Sequence, residues 1–356
     1  MAIIDVTYTL FVFLCLFLCL LIGSFRNYRE ARFNSIYIII TIILLAFSSM
    51  RELSVGTDTR NYAHLFYLDT TYLQILITKG VEFIYFFMTN LIKSFGGSFY
   101  TVMLITSFFI VFCYLIQIKK YSENIALSLM VFICLFYTFH FNALRQSIAM
   151  AIVFFAFPYI LKERMFHSIF LVFIAAMFHK TAFIMLPVIY LLHYKGRYRN
   201  VIVVIFSFVL AILSSHLIEF ASSIDSRYEH YNNMNSGGGK GTTSFFVLLF
   251  IIFYAYKKQA YTHCNYYGKL LTLYLIGILI SLTSILLSLD PSGPLRLNQY
   301  LLQSSIFMVP MLVNSIPNRV ERNVVAITFV FLCCVFFILF TSNLANLSPF
   351  YFRELF

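Results

Sequence analysis

The sequence predicts an all-α polytopic integral membrane protein with about twelve transmembrane helices. Of its 356 residues, 61% are hydrophobic and only 11% are charged, whereas a soluble domain carries about 25% charged residues. Apolar runs recur along the whole chain and lack the alternation of apolar and polar residues that barrel strands show. The charges between these runs fall into two sets of different composition, as expected for loops on opposite sides of a membrane.

The apolar runs give the predicted spans in chain order. A transmembrane helix needs about 20 residues, or about 17 at the lower limit, so several of these runs are short for a crossing. The pair within 166–194 is either two short crossings or a hairpin that dips into the membrane. The predicted spans are 7–25, 35–50, 99–118, 125–141, 144–161, 166–178, 181–194, 200–217, 245–256, 269–288, 299–316 and 323–341.

One membrane domain is predicted over residues 1–356, with larger outer loops at 51–98 and 218–244. Within the first loop, residues 81–95 (VEFIYFFMTNLIKSF) are apolar enough to touch the membrane. A full crossing there would invert all later loops and place their basic residues outside. The segment is therefore predicted to be an interfacial or re-entrant helix.

The distribution of charge predicts the orientation. Asp5 stands where a signal peptide would be basic, and the first basic cluster follows the first span. Both termini are therefore predicted to lie outside. In this orientation the inner loops hold most of the 25 basic residues and few of the 14 acidic ones. The net charge of +11 is thus a property of the inner face, and it does not predict a nucleic-acid partner.

The informative polar residues lie in short groups on the predicted outer side. Most groups combine an arginine with a carboxylate or a tyrosine, and the planar fork of arginine suits phosphate or carboxylate ligands. The candidates are Arg51, Asp58, Arg60 and Tyr62 in RELSVGTDTRNY, Arg145 and Gln146 in NALRQ, His179, Arg227, Tyr228 and Tyr231 in DSRYEHY, and Asp290, Arg296 and Tyr300 in DPSGPLRLNQY.

Each group also has a purely structural interpretation. These interpretations are a solvated pair for Arg51, a helix cap for Asp58, snorkelling for Arg145 and Arg296, packing for His179, a soluble loop face for Arg227 and a proline turn for Asp290. The clustering of all groups on one side favours a functional site. No metal cage, nucleotide-binding loop or nucleophile elbow is present in the sequence, so no cofactor or metal is predicted.

Four stretches resemble the Wzy-type O-antigen and exopolysaccharide polymerases, in the branch of EpsG-like proteins. They are R-x-x-x-V-G-T-D-T-x-N-Y (Arg51 to Tyr62), L-R-Q-S-I-A (Leu144 to Ala149), A-x-x-F-H-K-T-A (Ala175 to Ala182) and R-L-x-x-Y (Arg296 to Tyr300). The stretches follow one another in the order typical of the family. The C-terminal match is loose, and residues 201–289 carry little signature.

The resemblance implies an enzyme that transfers a glycan from undecaprenyl diphosphate to a second lipid-linked repeat unit, at the periplasmic face of the inner membrane. Arg145, with Arg51, Arg60 and Arg296, would then stabilise the departing diphosphate, and either Asp58 or His179 would be the base. The tyrosines of the outer groups would line the sugar site. Membrane lipids, a flippase and a chain-length regulator are the other implied partners.

Two alternatives remain open at the level of sequence. An O-antigen ligase would use the same donor but a lipid A-core acceptor. A flippase or transporter of the lipid-linked oligosaccharide would need basic residues along a path through the bundle. The predicted spans carry almost no charge near their centres, which favours a transferase.

Overall fold

The computed structural model describes residues 5–25, 30–68, 82–224, 239–287, 293–345 and 347–353. It is 83% helical and contains no strand in these ranges, which confirms the predicted all-α class.

The helices are named here in chain order. The first nine are α1 (Val6–Phe25), α2 (Glu30–Ser49), α3 (Thr59–Tyr67), α4 (Phe83–Ser94), α5 (Phe99–Tyr121), α6 (Ile125–Phe132), α7 (Phe139–Asn142), α8 (Leu144–Leu161) and α9 (Met165–Phe178). They are followed by α10 (Met185–His193), α11 (Arg199–Ile224), α12 (Lys240–Ala255), α13 (Lys257–His263), α14 (Tyr267–Leu286), α15 (Pro294–Leu297), α16 (Gln299–Leu302), α17 (Ser305–Ser315) and α18 (Arg319–Leu339). A π-helical turn at Ile133–Tyr137 continues α6, and a 3-10 turn at Lys180–Ile184 precedes α10.

Each predicted span coincides with an apolar helical segment. Within the described ranges, six segments are long and apolar enough to cross a membrane, and the other apolar helices there are shorter. The long segments are Val6–Gly23, Phe99–Tyr121, Ile125–Asn142, Leu144–Leu161, Tyr267–Leu286 and Arg319–Asn343. The predicted boundaries differ most at 299–316, which the structure divides between α16 and α17, and at the loop 218–244, whose two ends are helical.

The α8 helix forms the centre of the bundle. Its membrane-length segment is 83% buried, and it packs against α5 and α9. Small residues such as Ala149 and Ala151 let these neighbours approach closely, while the ring of Phe154 stacks on Tyr114 and Phe307 with centroid distances of 4.7 and 4.9 Å. The large exposed side chains lie mainly on outer helices such as α1, α11 and α18, as expected for surfaces that face lipid.

The predicted inner loops meet at one end of the bundle. Lys269 Nζ lies 2.9 Å from Glu163 Oε1, and His263 Nε2 lies 2.8 Å from Glu123 Oε2. These contacts join loops that the positive-inside rule assigns to the same side.

A separate group of elements covers the opposite end. We call residues 50–68 and 82–98 the cap. The α4 helix has 12 residues, about 18 Å in length, which is too short to cross and agrees with an interfacial placement. A small hydrophobic core around Phe66, Ile92 and Phe99 packs the cap against the start of α5.

The C-terminal segment 347–353 also lies at the cap end. Glu52 N donates to Tyr351 O at 2.9 Å, and Arg353 N donates to Met50 O at 2.8 Å. Phe350 N donates to Asp5 Oδ2 at 2.8 Å. Residue 5 and the C-terminal segment therefore share one end of the bundle, in agreement with termini on the same side.

The cap loop docks on the break between α7 and α8. Thr59 Oγ1 donates to Phe141 O at 3.0 Å, and Thr57 N donates to Asn142 Oδ1 at 2.9 Å. Gly56 has φ +99°, and a Cβ atom there would lie 2.2 Å from Phe141 O. Only glycine satisfies both the backbone angle and the close approach. This docking sets the start of α3 beside the start of α8.

Gly56→Ala is expected to destabilise the protein by clearly more than Gly96→Ala. Both positions have positive φ, which costs a non-glycine residue about 1–2 kcal/mol. At Gly96, however, a Cβ atom meets nothing within 4 Å. Thermal unfolding of the two variants in detergent measures the difference, and equal losses of Tm would contradict the proposed close contact at Gly56.

Candidate functional site

One buried carboxylate joins the cap to the bundle. Glu82 precedes α4 and is only 7% exposed. Its Oε2 accepts a hydrogen bond from Arg145 Nη1, and its Oε1 lies 2.8 Å from Nδ1 of His179. Arg145 stands in the first turn of α8, and His179 follows the last residue of α9. Three segments that are far apart in sequence therefore meet at this carboxylate.

The two cationic partners keep Glu82 ionised. Burial by itself raises the pKa of Glu82, but the hydrogen bond with His179 and the positive charge of Arg145 outweigh burial and hold the pKa at about 2. A carboxylate whose pKa is lower in the folded state stabilises the fold above its unfolded pKa. This stabilisation is lost progressively as the pH falls below the unfolded pKa and through the folded value of about 2.

The Arg145 side chain is partly open to solvent. Its guanidinium lies over the ring of Tyr62, 5.6 Å from the centroid, and 21% of the side chain is exposed. Glu82 and Tyr62 thus hold the cation from the cap, while part of the side chain stays accessible. Such a group can bind an anion without leaving its partners.

A second carboxylate–arginine pair lies close to the first. Arg296 Nη2 is 3.5 Å from Asp58 Oδ2, and the carbonyl of Arg296 accepts a hydrogen bond of 2.6 Å from Gln146 Nε2. Burial raises the pKa of Asp58 by more than the positive charges of Arg296 and Arg145 lower it. Like Glu82, Asp58 comes from the cap and its cation comes from the bundle.

Tyr300 supports the turn that carries His179. Its hydroxyl lies 3.1 Å from Thr181 Oγ1, and its side chain is fully buried. The sequence predicts Tyr300 as part of a sugar-binding surface. The structure places it, fully buried, in contact with the 3-10 turn at Lys180–Ile184.

The other predicted site residues differ from one another in how far their side chains are exposed. Arg51 is 1% exposed; its guanidinium lies 4.4 Å from the ring centroid of Phe141 and donates to Ser48 O, so it lies beneath the cap loop. Arg60 is exposed on α3. Four predicted site residues lie outside the described residues, namely Arg227, Tyr228, Tyr231 and Asp290.

Sequence reasoning missed Glu82. The available signal was a carboxylate at the head of the apolar segment 81–95, directly before a helix predicted to touch the membrane. A charge at such a position is costly unless a partner offsets it. The identity of that partner is not visible in the sequence, because Arg145 and His179 are 63 and 97 residues away.

An apolar groove begins at Glu82. Its volume is about 330 Å³, and most of its surface is apolar. It is lined by Glu82, Phe83, Phe173, Ala176, Met177, Lys180 and Phe183. Phe83, Phe173 and Phe183 are each about half exposed. The groove therefore connects the charged cluster with the apolar outer surface of the bundle, and Lys180 adds an exposed cation at its edge.

The ionisable side chains of the described residues contain no group of three or more His, Cys, Asp or Glu that could hold a metal ion. The arrangement can bind an anion with guanidinium groups and can accept a proton at Asp58 or His179.

Comparison with known proteins identifies one family. The EpsG family model matches residues 34–352, which include both carboxylate–arginine pairs and His179. No curated protein and no solved structure matches the chain.

Glu82→Ala is expected to destabilise the protein by about 3–5 kcal/mol, because it leaves Arg145 partly buried without its counter-charge. Glu123→Ala is the matched control, since it removes a more exposed carboxylate that also pairs with a histidine; its expected cost is below about 1 kcal/mol. Thermal unfolding in detergent compares the two variants. A similar Tm for both would show that Glu82 does not stabilise the cap.

Proposed function

The chain belongs to the EpsG family of polysaccharide-polymerase-type membrane proteins, and from this membership we propose that it polymerises undecaprenyl-diphosphate-linked repeat units into a surface polysaccharide. The reaction takes place at the outer face of the inner membrane. Glycan is transferred from one lipid carrier to a second lipid-linked unit, and undecaprenyl diphosphate leaves.

The observation that carries the proposal is the position of Arg145 next to the apolar groove. A lipid-linked diphosphate needs cationic donors for its head group and an apolar surface for its chain, and the two must adjoin. Arg145 and the groove share Glu82 as a common neighbour. The groove is large enough for part of a polyprenyl chain, and its exposed phenylalanines open toward lipid.

The chemistry follows from these positions. As the bond between the anomeric carbon and the diphosphate oxygen breaks, negative charge grows on the diphosphate, and Arg145 and Arg296 stabilise that charge. The acceptor hydroxyl loses its proton to a base, for which Asp58 and His179 are the candidates. A diphosphate is a good leaving group, so no protein acid is required to protonate it.

Arg145→Lys is expected to remove long polymer while leaving the protein in the membrane. Lysine keeps the positive charge opposite Glu82 but lacks the fork of donors that holds a phosphate. Loss of a donor to the developing charge lowers the rate about 10²–10³-fold. The glycan ladder of a complemented deletion strain measures this, with Arg197→Lys, an exposed arginine outside the site, as control. Undiminished long chains in Arg145→Lys would contradict the assignment.

The deletion strain itself separates polymerase from ligase. Loss of a polymerase leaves single repeat units on the surface, whereas loss of a ligase leaves none. A strain without any surface repeat would contradict the proposed reaction.

A membrane-impermeant maleimide tests the orientation. In a Cys264→Ser background, a cysteine at the exposed cap position Asn61 is expected to react in intact cells. A cysteine at Lys258, exposed at the opposite end of the bundle, is expected to react only after permeabilisation. The reverse pattern would place the cap and its site on the cytoplasmic side.

A further inference from the structure

We infer that Glu82 is a positioning residue that makes Nε2 of His179 the base of the transfer reaction. This inference rests on the proposed function and resolves the choice between Asp58 and His179. Glu82 itself need not touch the substrate, because it acts through the imidazole ring.

The hydrogen bond between the two residues fixes the tautomer. Glu82 is ionised at neutral pH, since its pKa is about 2, and an ionised carboxylate can only accept hydrogen bonds. Nδ1 of His179, 2.8 Å away, must therefore carry the proton that it donates. In the neutral ring this leaves the lone pair on Nε2. With 23% of the His179 side chain exposed, the ring remains accessible to a substrate.

The charges favour protonation of His179 over protonation of Asp58. When an acceptor hydroxyl transfers its proton to Nε2, the new imidazolium stands beside the negative charge of Glu82. When Asp58 accepts the proton, the negative charge that lies 3.5 Å from Arg296 Nη2 is neutralised.

The step is balanced in atoms and electrons. The acceptor oxygen forms a bond to the anomeric carbon and gives its proton to Nε2 of His179. The bond from the anomeric carbon to the diphosphate oxygen breaks, and its electron pair leaves with undecaprenyl diphosphate. The imidazolium then releases its proton to water at the membrane surface.

The groups around the pair come from several elements. Arg145 and Lys180 are the neighbouring cations. Tyr62, Tyr85 and Tyr300 are neighbouring phenols. Among the described residues, Glu82 is the only carboxylate in hydrogen-bond contact with the ring of His179. Removal of the charge of Glu82 by substitution is therefore the most direct way to affect His179.

The first experiment follows His179 directly. The purified full-length protein in detergent is treated with diethyl pyrocarbonate over a range of pH, and mass spectrometry of the peptide containing His179 gives the rate. Only the neutral imidazole reacts. Glu82→Gln is expected to shift the His179 curve to lower pH by about one unit or more, because the imidazolium loses an adjacent opposite charge.

Glu123→Gln is the matched control. It removes the carboxylate beside His263, whose Nε2 lies 2.8 Å away, at the other end of the bundle. It should shift the curve of His263 and leave that of His179 unchanged. A His179 curve that is the same in wild type and Glu82→Gln would overturn the inference.

The second experiment measures polymer in cells, where the medium sets the pH of the outer face. Glu82→Gln is expected to shift the acidic limb of polymer formation to lower pH, whereas a merely structural role would reduce polymer equally at every pH. His179→Asn keeps a donor for Glu82 but lacks Nε2, and it should lower polymer formation about 10²–10⁴-fold. Normal polymer in His179→Asn would overturn the inference even if Glu82→Gln fails to fold.

The two experiments also separate this inference from the proposed function. The modification curve of His179 is measured without substrate and depends only on the contact between Glu82 and His179. A deletion strain with an unchanged glycan ladder would reject the polymerase, whatever the curve shows. If the protein polymerises repeat units but its His179 curve does not respond to Glu82→Gln, the proposed function stands and the inference about His179 and Glu82 is wrong.

Discussion

The structure depends on the neutralisation of a guanidinium that the sequence places next to apolar helices. A cation in hydrocarbon costs from about 3 to more than 10 kcal/mol. Arg145 avoids most of this cost in two ways: the chain breaks between α7 and α8, which sets Arg145 at a helix end, and Glu82 supplies a counter-charge. Because Glu82 belongs to the cap, separation of the cap from the bundle would remove the counter-charge of Arg145.

The same arrangement occurs twice at this end of the molecule. Glu82 and Asp58 come from the cap, whereas Arg145 and Arg296 come from the bundle. Each ion pair thus contributes to cap docking and presents a guanidinium to the site. In the proposed reaction, a diphosphate interacts with cations that are already held in place, so little side-chain order is lost on binding. The stability of the cap and the electrostatics of the site have one origin.

The histidine connects this electrostatic framework to the chemistry. His179 stands at the end of α9, in a turn supported from below by the contact between Tyr300 and Thr181. Its ring contacts the carboxylate that also holds Arg145. The group proposed to take the proton and the group proposed to stabilise the leaving diphosphate are therefore fixed by one side chain. An apolar groove lined by residues such as Phe83, Phe173 and Phe183 starts at the same carboxylate.

Local properties of the sequence determined the class of fold, the positions of the apolar helices and the division of the loops into two ends. Hydrophobic runs and loop charges are readable from neighbouring residues alone, and the structure brings the motifs around Asp58, Arg145 and His179 to one end of the bundle. Only the tertiary structure decided which charges pair, that Arg51 and Tyr300 are buried, and that Glu82 contacts both Arg145 and His179. The paired residues lie 63 to 238 positions apart, and contacts over such distances are set by the packing of the cap on the bundle, which no local pattern encodes.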